Sequence, residues 1–297
     1  MIDSGDMQDH SGRNFPLIQT KIQIPLQRAD SILRPRLINR LHSNMDRKLI
    51  VISAPAGYGK SSLLIDFAND TDLPVCWYTI DSFDRDLRVF LEYLIAAVEL
   101  RFPGFGEQSR RILNQVKDPD RNIYPIVATI VQEIHDSIPE YFIIVLEDHH
   151  TIEDQDPINE FLDLFISFID ENCHLILTSR GLPALPSMSL LIARNQAAGM
   201  GLEDLRFTPA EVQNLTHQNQ KIRLTLTQAE IVARRSGGWI TGLHLTDPSY
   251  WIASENREYL DSISPYIYDY LSKQVFDQQS GEMQKFLLSS SVFDEIS

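Results

Sequence analysis

The sequence is short of several residue types, and each shortage excludes a class of protein. It has only two cysteines in 297 residues, too few and too far apart for a disulfide framework or a cysteine-rich metal site. Cys76 and Cys173 each lie in an apolar stretch, where reduced core residues are expected. Lysine and arginine number 26 against 41 acidic residues, which gives a net charge of −15. Such a chain is poorly suited to bind nucleic acid by itself, because phosphate contacts need clustered basic residues.

Long hydrophobic runs and targeting signals are also missing. No apolar run approaches the ~18 residues that a membrane span needs, and the polar residues 1–14 do not resemble a signal peptide. A hydrophobic content of 43% with 23% charged residues is typical of globular proteins. We therefore expect a cytoplasmic protein with no membrane partner, folded as two domains or as one large domain with an appendage.

The most informative stretch runs from Leu49 to Ser62 and has the sequence LIVISAPAGYGKSS. Its β-branched run predicts a buried parallel strand, and a helical pattern opens at Lys60. Strand, glycine loop, Gly-Lys-Ser and helix are the parts of a phosphate-binding P-loop. Ala54 stands where the general pattern has its first glycine. A chance Gly-Lys-Ser in a turn is the alternative, and the flanking strand and helix argue against it.

Each residue type in this loop has a physical reason. Gly57 and Gly59 let backbone N–H groups turn towards phosphate oxygens, and the helix start adds further N–H groups. Lys60 is predicted to reach the β- and γ-phosphates, and the Ser61 hydroxyl to ligate Mg²⁺. The predicted nucleotide-binding segment consists of Ala56, Gly57, Tyr58, Gly59, Lys60, Ser61 and Ser62.

Two acids follow a later apolar run, at 141–146. In P-loop proteins one carboxylate holds Mg²⁺, usually through water, and the other orients or deprotonates the attacking water. We predict Glu147 for the metal and Asp148 for the water; solvated acids at a strand end are the alternative. Arg180 follows another strand and is a candidate to bind the γ-phosphate, since a guanidinium matches phosphate geometry. Its alternative is a surface ion pair.

Short buried strands alternate with helices in the first two thirds of the chain. Apolar runs predict strands at 50–52, 75–80, 141–146 and 173–180. The alternation predicts an α/β fold, a parallel sheet flanked by helices. In such sheets ligands lie at the carboxyl ends of the strands, where the P-loop, the two acids and Arg180 all fall.

The remaining sequence patterns predict elements outside the four buried strands. They predict an edge strand at 21–25, a polar loop at 104–122, a helix at 188–198 and a last edge strand at 204–207. Capping-box patterns predict helices that begin after Thr208 and Thr227. From Trp239 onwards the spacing is helical, so we expect a small all-helical domain that Trp239 anchors.

Together these motifs resemble the STAND ATPases, in the branch of the maltose-regulon activator and its LuxR-type bacterial relatives. The matching segments are the P-loop at 53–62, an N-terminal signature at 20–37, a strand at 76–81, a helix at 90–97, the residues 147–150, a sensor strand at 177–180 and a turn at 236–243. The resemblance covers about residues 20–297. Two positions depart from the branch: Glu147 replaces an Asp, and Ser61-Ser62 replaces Thr-Thr.

The resemblance implies a signal-responsive switch. Such proteins hold ADP in a closed, monomeric resting state; an inducer permits exchange for ATP and self-association, and a helix-turn-helix then binds DNA. Here it implies a P-loop domain at 20–207, a small helical domain at 208–258, and a helical connector with the truncated start of a winged-helix domain at 259–297. Residues 1–19 are predicted to be a disordered tail. The domains that bind inducer and DNA are expected to lie beyond this chain.

The resemblance also implies where the adenine base lies. Ile240 stands at the position of an adenine-contacting proline in related families, and Leu33 and Arg34 border the base. ATP or ADP with Mg²⁺ is then the ligand, and weak ATPase activity serves the switch. Two alternatives stay open: a P-loop small-molecule kinase or phosphotransferase, and a STAND module with an output other than DNA binding.

Overall fold

Five parallel strands form the central sheet of the protein. The structure, a computed structural model, describes residues 16–253, 265–277 and 280–291. The strands are β1 (Leu49–Ser53), β2 (Val75–Thr79), β4 (Phe142–Glu147), β5 (Cys173–Ser179) and β6 (Ala197–Met200), in the order β2-β4-β5-β1-β6. A short strand, β3 (Pro103–Gly106), lies outside this sheet. All four pairings are parallel, so the predicted α/β fold is confirmed.

Helices connect the strands and continue beyond the sheet. They are α1 (Pro35–His42), α2 (Lys60–Asp70), α3 (Leu87–Arg101), α4 (Glu107–Gln115), α5 (Ile123–Ser137), α6 (Asp156–Phe168), α7 (Met188–Ala193), α8 (Leu202–Leu205), α9 (Pro209–Gln220), α10 (Leu226–Arg235), α11 (Ile240–Leu245), α12 (Pro248–Ala253), α13 (Pro265–Leu271) and α14 (Gly281–Ser290). A π-helical turn, Ser272–Phe276, follows α13. In the described residues no helix is long and apolar enough to cross a membrane.

Both faces of the sheet are buried, as parallel sheets require. Side chains alternate between the faces: Tyr78 and Leu146 pack with α3, α5 and α6, whereas Trp77 and Val145 pack with α1 and α2. A third, smaller core joins α9, α10 and α11 around Phe207. Because helices cover both faces, the carboxyl ends of the strands are left as the place for a ligand.

The weaker predictions need several corrections. Residues 21–25 form no strand; a 3₁₀ turn ends at Lys21, whose buried ammonium donates to Asp84 Oδ1 at 2.6 Å. The last edge strand is β6 rather than 204–207, and it overlaps the end of the helix predicted at 188–198. Its small residues carry no strand pattern of their own, and pairing with β1 makes it a strand. The capping box at Thr208 is confirmed, whereas α10 is capped by Thr225 instead of Thr227.

The proposed domain boundaries stay predictions. The third core gives the residues after Phe207 a hydrophobic cluster distinct from the two cores on the sheet. Most of the predicted N-terminal tail, residues 1–15, lies outside the described residues. So do residues 254–264, 278–279 and 292–297, which include much of the predicted connector and winged-helix start.

Helix α4 lies where the sequence predicts a polar loop, and a carboxylate on another helix explains it. Glu133 of α5 is 2% exposed and accepts hydrogen bonds from the backbone N–H groups of Gly106 (3.0 Å), Gln108 (2.9 Å) and Ser109 (2.8 Å). These N–H groups surround the start of α4, where a helix lacks internal acceptors. The negative charge also opposes the positive end of the helix dipole. Since Glu133 is 24 to 27 residues away from these N–H groups, no local sequence pattern predicts the contact.

We expect Glu133→Gln to lower the free energy of unfolding by about 1–3 kcal/mol, because an amide nitrogen replaces an acceptor oxygen among buried N–H donors. Urea denaturation measures the loss. Glu107→Gln on α4 is the control: its pair with Arg111 is exposed, and it should cost about 0.5 kcal/mol or less. Equal losses in the two variants would contradict the capping role of Glu133.

Candidate nucleotide-binding site

A cavity of about 860 Å³ opens at the carboxyl ends of the strands. The P-loop and the start of α2 form one wall. The N-terminal segment that precedes α1, the loop after β2 and parts of α11 and α13 form the others. Its lining includes Ile32, Arg34, Ala56, Gly57, Gly59, Lys60, Ser61, Ser62, Leu63, Asp66, Thr79, Asp148, His150, Arg180, Phe207, Ile240, Thr241, His244, Tyr270 and Gln274.

The P-loop has the backbone conformation that its glycines permit. Gly57 and Gly59 have φ angles of +82° and +78°, in the left-handed region that residues with a Cβ avoid. Lys60 is 8% exposed, and its ammonium donates to the carbonyls of Ala54 (2.7 Å) and Pro55 (3.2 Å). Burial lowers the pKa of Lys60, and the charge of Asp148 opposes that shift. The ammonium therefore lies within the loop, beside the cavity where phosphate oxygens would accept from it.

The two acids occupy different positions at the end of β4. Glu147 is 4% exposed, and its Oε2 accepts a hydrogen bond from Thr79 Oγ1 at 2.9 Å. Burial raises the pKa of the Glu147 carboxyl, and a hydrogen bond with Ser61 opposes the rise. Asp148 has φ +61° and lines the cavity. Burial also raises the pKa of Asp148, while the charges of Lys60 and Arg180 lower it.

The donor set at this corner fits Mg²⁺. Ser61 supplies a hydroxyl oxygen and lowers the pKa of the nearby Glu147 carboxyl, and hard oxygen ligands with retained waters are what Mg²⁺ prefers. The described parts of the chain hold no group of three or more His, Cys, Asp or Glu that could bind a metal by itself. A P-loop magnesium site does not need one, since phosphate and water oxygens complete it.

The segment after β5 is joined to the C-terminal helices. Arg180 Nη1 donates to the backbone carbonyl of Gln274 at 2.8 Å, and Nη2 contacts Gln274 Oε1 at 3.4 Å. The Tyr270 ring lies 5.8 Å from the Trp239 ring, centroid to centroid. The candidate phosphate sensor is therefore bonded to the π-helical turn that covers one side of the cavity.

The first residues of α11 and the residue before them bond directly to the P-loop. Trp239 Nε1 donates to the Ala56 carbonyl at 3.1 Å, and the backbone N–H and Oγ1 of Thr241 both donate to the Gly57 carbonyl at 3.2 Å. The approach is so close that a Cβ on Gly57 would lie 2.5 Å from Thr241 Oγ1 and from Trp239 Nε1. Trp239 thus joins the helical part to the phosphate-binding loop.

Comparisons with known proteins agree with this geometry. The chain is 28% identical over 285 residues to the HTH-type transcriptional regulator MalT of Yersinia enterocolitica, and 29% identical over 282 residues to that of Yersinia pestis. The chain is similar to the MalT regulators. Each match covers 93% of this chain, which spans 30% of the length of these relatives. No protein-family model matches the chain.

The chain also shares its fold with a solved structure. That structure is of a Signal Transduction ATPase with Numerous Domains (STAND) protein with a tetratricopeptide repeat sensor from Pyrococcus horikoshii. The TM-score is 0.51 at 19% identity, over 91% of this chain and 36% of that chain. The resemblance to the MalT regulators that the motifs indicate is confirmed by the sequence matches, and the solved structure confirms the P-loop fold.

The cavity brings together most of the predicted site residues. Those that line it are Arg34, Ala56, Gly57, Gly59, Lys60, Ser61, Ser62, Asp148, Arg180 and Ile240. Three predicted residues are not in the lining. Glu147 is buried and accepts its hydrogen bond from Thr79, and Tyr58 packs with the core on the α2 face. Leu33 is 57% exposed, whereas its neighbours Ile32 and Arg34 are buried, because successive side chains of an extended segment point in opposite directions.

The N-terminal segment is held in place by Arg34. Its guanidinium donates to the Leu205 carbonyl at 2.7 Å, contacts the Glu211 carboxylate at 3.3 Å and lies 4.2 Å from the centroid of the Phe207 ring. Arg34 thus joins α1 to the start of the helical part beside the cavity. The sequence pattern missed Phe207 and Glu211 here, and no local signal marks them, since both lie more than 170 residues from Arg34.

We expect Gly57→Ala to weaken the bond between the helical part and the P-loop, because its Cβ meets Thr241 and Trp239. The melting temperature should fall, and the strain alone should cost about 1 kcal/mol or more. Gly104→Ala is a matched control, since Gly104 also has positive φ (+102°) but its Cβ would meet nothing within 4 Å. If both variants melt alike, the steric contact at Gly57 is not important.

Proposed function

We propose that this chain is the ATP/ADP-binding, slowly hydrolysing switch module of a signal-responsive transcriptional regulator of the LuxR-type STAND class. One observation carries the proposal: the helical part bonds directly to a P-loop whose Lys60 and Ser61 face a cavity of nucleotide size. The similarity to MalT regulators supports the regulatory role. Binding of inducer and DNA would belong to other parts of a full-length protein.

Different residues of the cavity would bind the phosphates and the adenine base of the nucleotide. Lys60, the P-loop N–H groups and Arg180 would bind the phosphates, and Arg34 and Ile240 would border the adenine base. Ser61, and Glu147 through water, would hold Mg²⁺, which when bound would neutralise part of the phosphate charge. Asp148 would orient the attacking water. The bond of Arg180 to Gln274 leaves this arginine partly engaged, which fits slow hydrolysis.

The same contacts explain how the nucleotide could control the shape of the molecule. With ADP, Arg180 would keep its bonds to Gln274, and α13 would stay over the cavity. The γ-phosphate of ATP would compete for the guanidinium, because charge-assisted bonds to phosphate are stronger than bonds to a carbonyl. Release of the C-terminal helices would then open the module and allow self-association of the ATP-bound full-length protein.

We expect Lys60→Ala to weaken ADP binding by about 10- to 100-fold, the effect of losing a charge-assisted hydrogen bond to phosphate. Titration of the purified chain with ADP by calorimetry measures it. Lys117→Ala, at an exposed position, should bind as the unaltered chain does. The proposal fails if the unaltered chain binds no ADP or ATP, or if Lys60→Ala binds them equally well while both proteins have the same melting temperature.

A further inference from the structure

One polar side chain in the cavity wall has no role in the phosphate chemistry described above. Asp66 of α2 is 4% exposed and lines the cavity. Its Oδ1 accepts a hydrogen bond from Gln27 Nε2 at 2.7 Å. Within the described residues, no donor reaches its other oxygen, Oδ2. A nearly buried carboxylate therefore presents one free acceptor oxygen at the wall of the cavity.

The position of Asp66 along α2 indicates which part of a nucleotide it meets. Asp66 is six residues beyond Lys60, or about 9 Å along the helix axis. It shares a helix face with Ser62 and Leu63, which lie four and three residues before it and also line the cavity. A ligand whose phosphates lie at the P-loop would pass the apolar Leu63 and reach Asp66 with its far end, the nucleoside.

The electrostatics of Asp66 favour a ligand that donates hydrogen bonds there. Burial raises the pKa of the Asp66 carboxyl, and the hydrogen bond from Gln27 opposes the rise. Asp66 Oδ2 is not among the buried side-chain atoms that lack a hydrogen-bond partner in the described residues, so it is accessible from the cavity. A ligand N–H group could therefore donate to it, and a bond to a charged carboxylate is stronger than one between neutral groups. The apolar side chains Leu63, Ile240 and Phe207 elsewhere in the lining suit a flat aromatic base.

We propose that Asp66 accepts a hydrogen bond from the exocyclic 6-amino group of adenine and so selects adenine nucleotides over purines with an oxygen at that position. This inference rests on the proposed function and adds the residue that distinguishes adenine from other purines. A carbonyl at position 6 would place oxygen against oxygen. The paired N–H groups of guanine suit a carboxylate with both oxygens free, and Gln27 already occupies one.

A merely structural role for Asp66 makes a different prediction. Asp66 would then only hold Gln27 and the N-terminal segment against α2. Loss of that contact would weaken all nucleotides alike, whatever their base. The ratio of two affinities therefore separates the roles, whereas a single affinity does not.

The experiment compares dissociation constants of ADP and inosine diphosphate, which carries oxygen at position 6. The unaltered chain should bind ADP at least about tenfold more tightly, as expected when an acceptor faces a donor in one ligand and an oxygen in the other. In Asp66→Asn the amide nitrogen can donate to that oxygen, so the preference should fall to near one or reverse. Gln27→Ala, the control, should weaken both ligands and keep their ratio.

Several results would overturn the inference and leave the proposed function intact. The first is equal binding of ADP and inosine diphosphate by the unaltered chain, and the second is an unchanged ratio of the two affinities in Asp66→Asn. The third comes from 2′-deoxy-ADP: if the unaltered chain prefers ADP to 2′-deoxy-ADP and Asp66→Asn removes that preference, Asp66 contacts the ribose and not the base. Failure of the proposed function looks different: the unaltered chain would bind neither diphosphate, and the inference would fall with it.

Discussion

The hydrogen bonds from Trp239 and Thr241 to the carbonyls of Ala56 and Gly57 are the constraint on which the rest of the structure depends. They require Gly57, since any Cβ there would displace both donors. They also bring Ile240 to the mouth of the P-loop. The phosphate-binding loop and the helical part therefore share one contact surface, and in the proposed switch a ligand that moves the loop would also move the helical part.

Charges at the strand ends are arranged around this contact. Lys60 and Arg180 face Asp148 closely enough to oppose the effect of burial on its pKa. Polyphosphate would add negative charge and engage both basic groups, one of which is bonded to the C-terminal segment through Gln274. In the proposed switch, this bond would couple the number of phosphates on the nucleotide to the position of α13.

Local patterns predicted the parts of the fold that local forces determine. The P-loop, the strands β1, β2, β4 and β5, and the capping box at Thr208 follow from residue type and spacing alone. Helix α4 depends on Glu133 of another helix, and β6 on pairing with β1. The same holds for the site: Lys60 and Asp148 could be named from motifs, whereas Asp66 and Phe207 join the cavity only through tertiary packing.

The central claim is that a closed helical part retains nucleotide at the P-loop. It is tested most directly by denaturing the freshly purified chain and identifying the nucleotide that it releases by chromatography. If the proposed switch is correct, the chain releases ADP in near-stoichiometric amount. An empty site together with fast ATP turnover would contradict it, because a module that opens freely and hydrolyses rapidly could not hold a resting state.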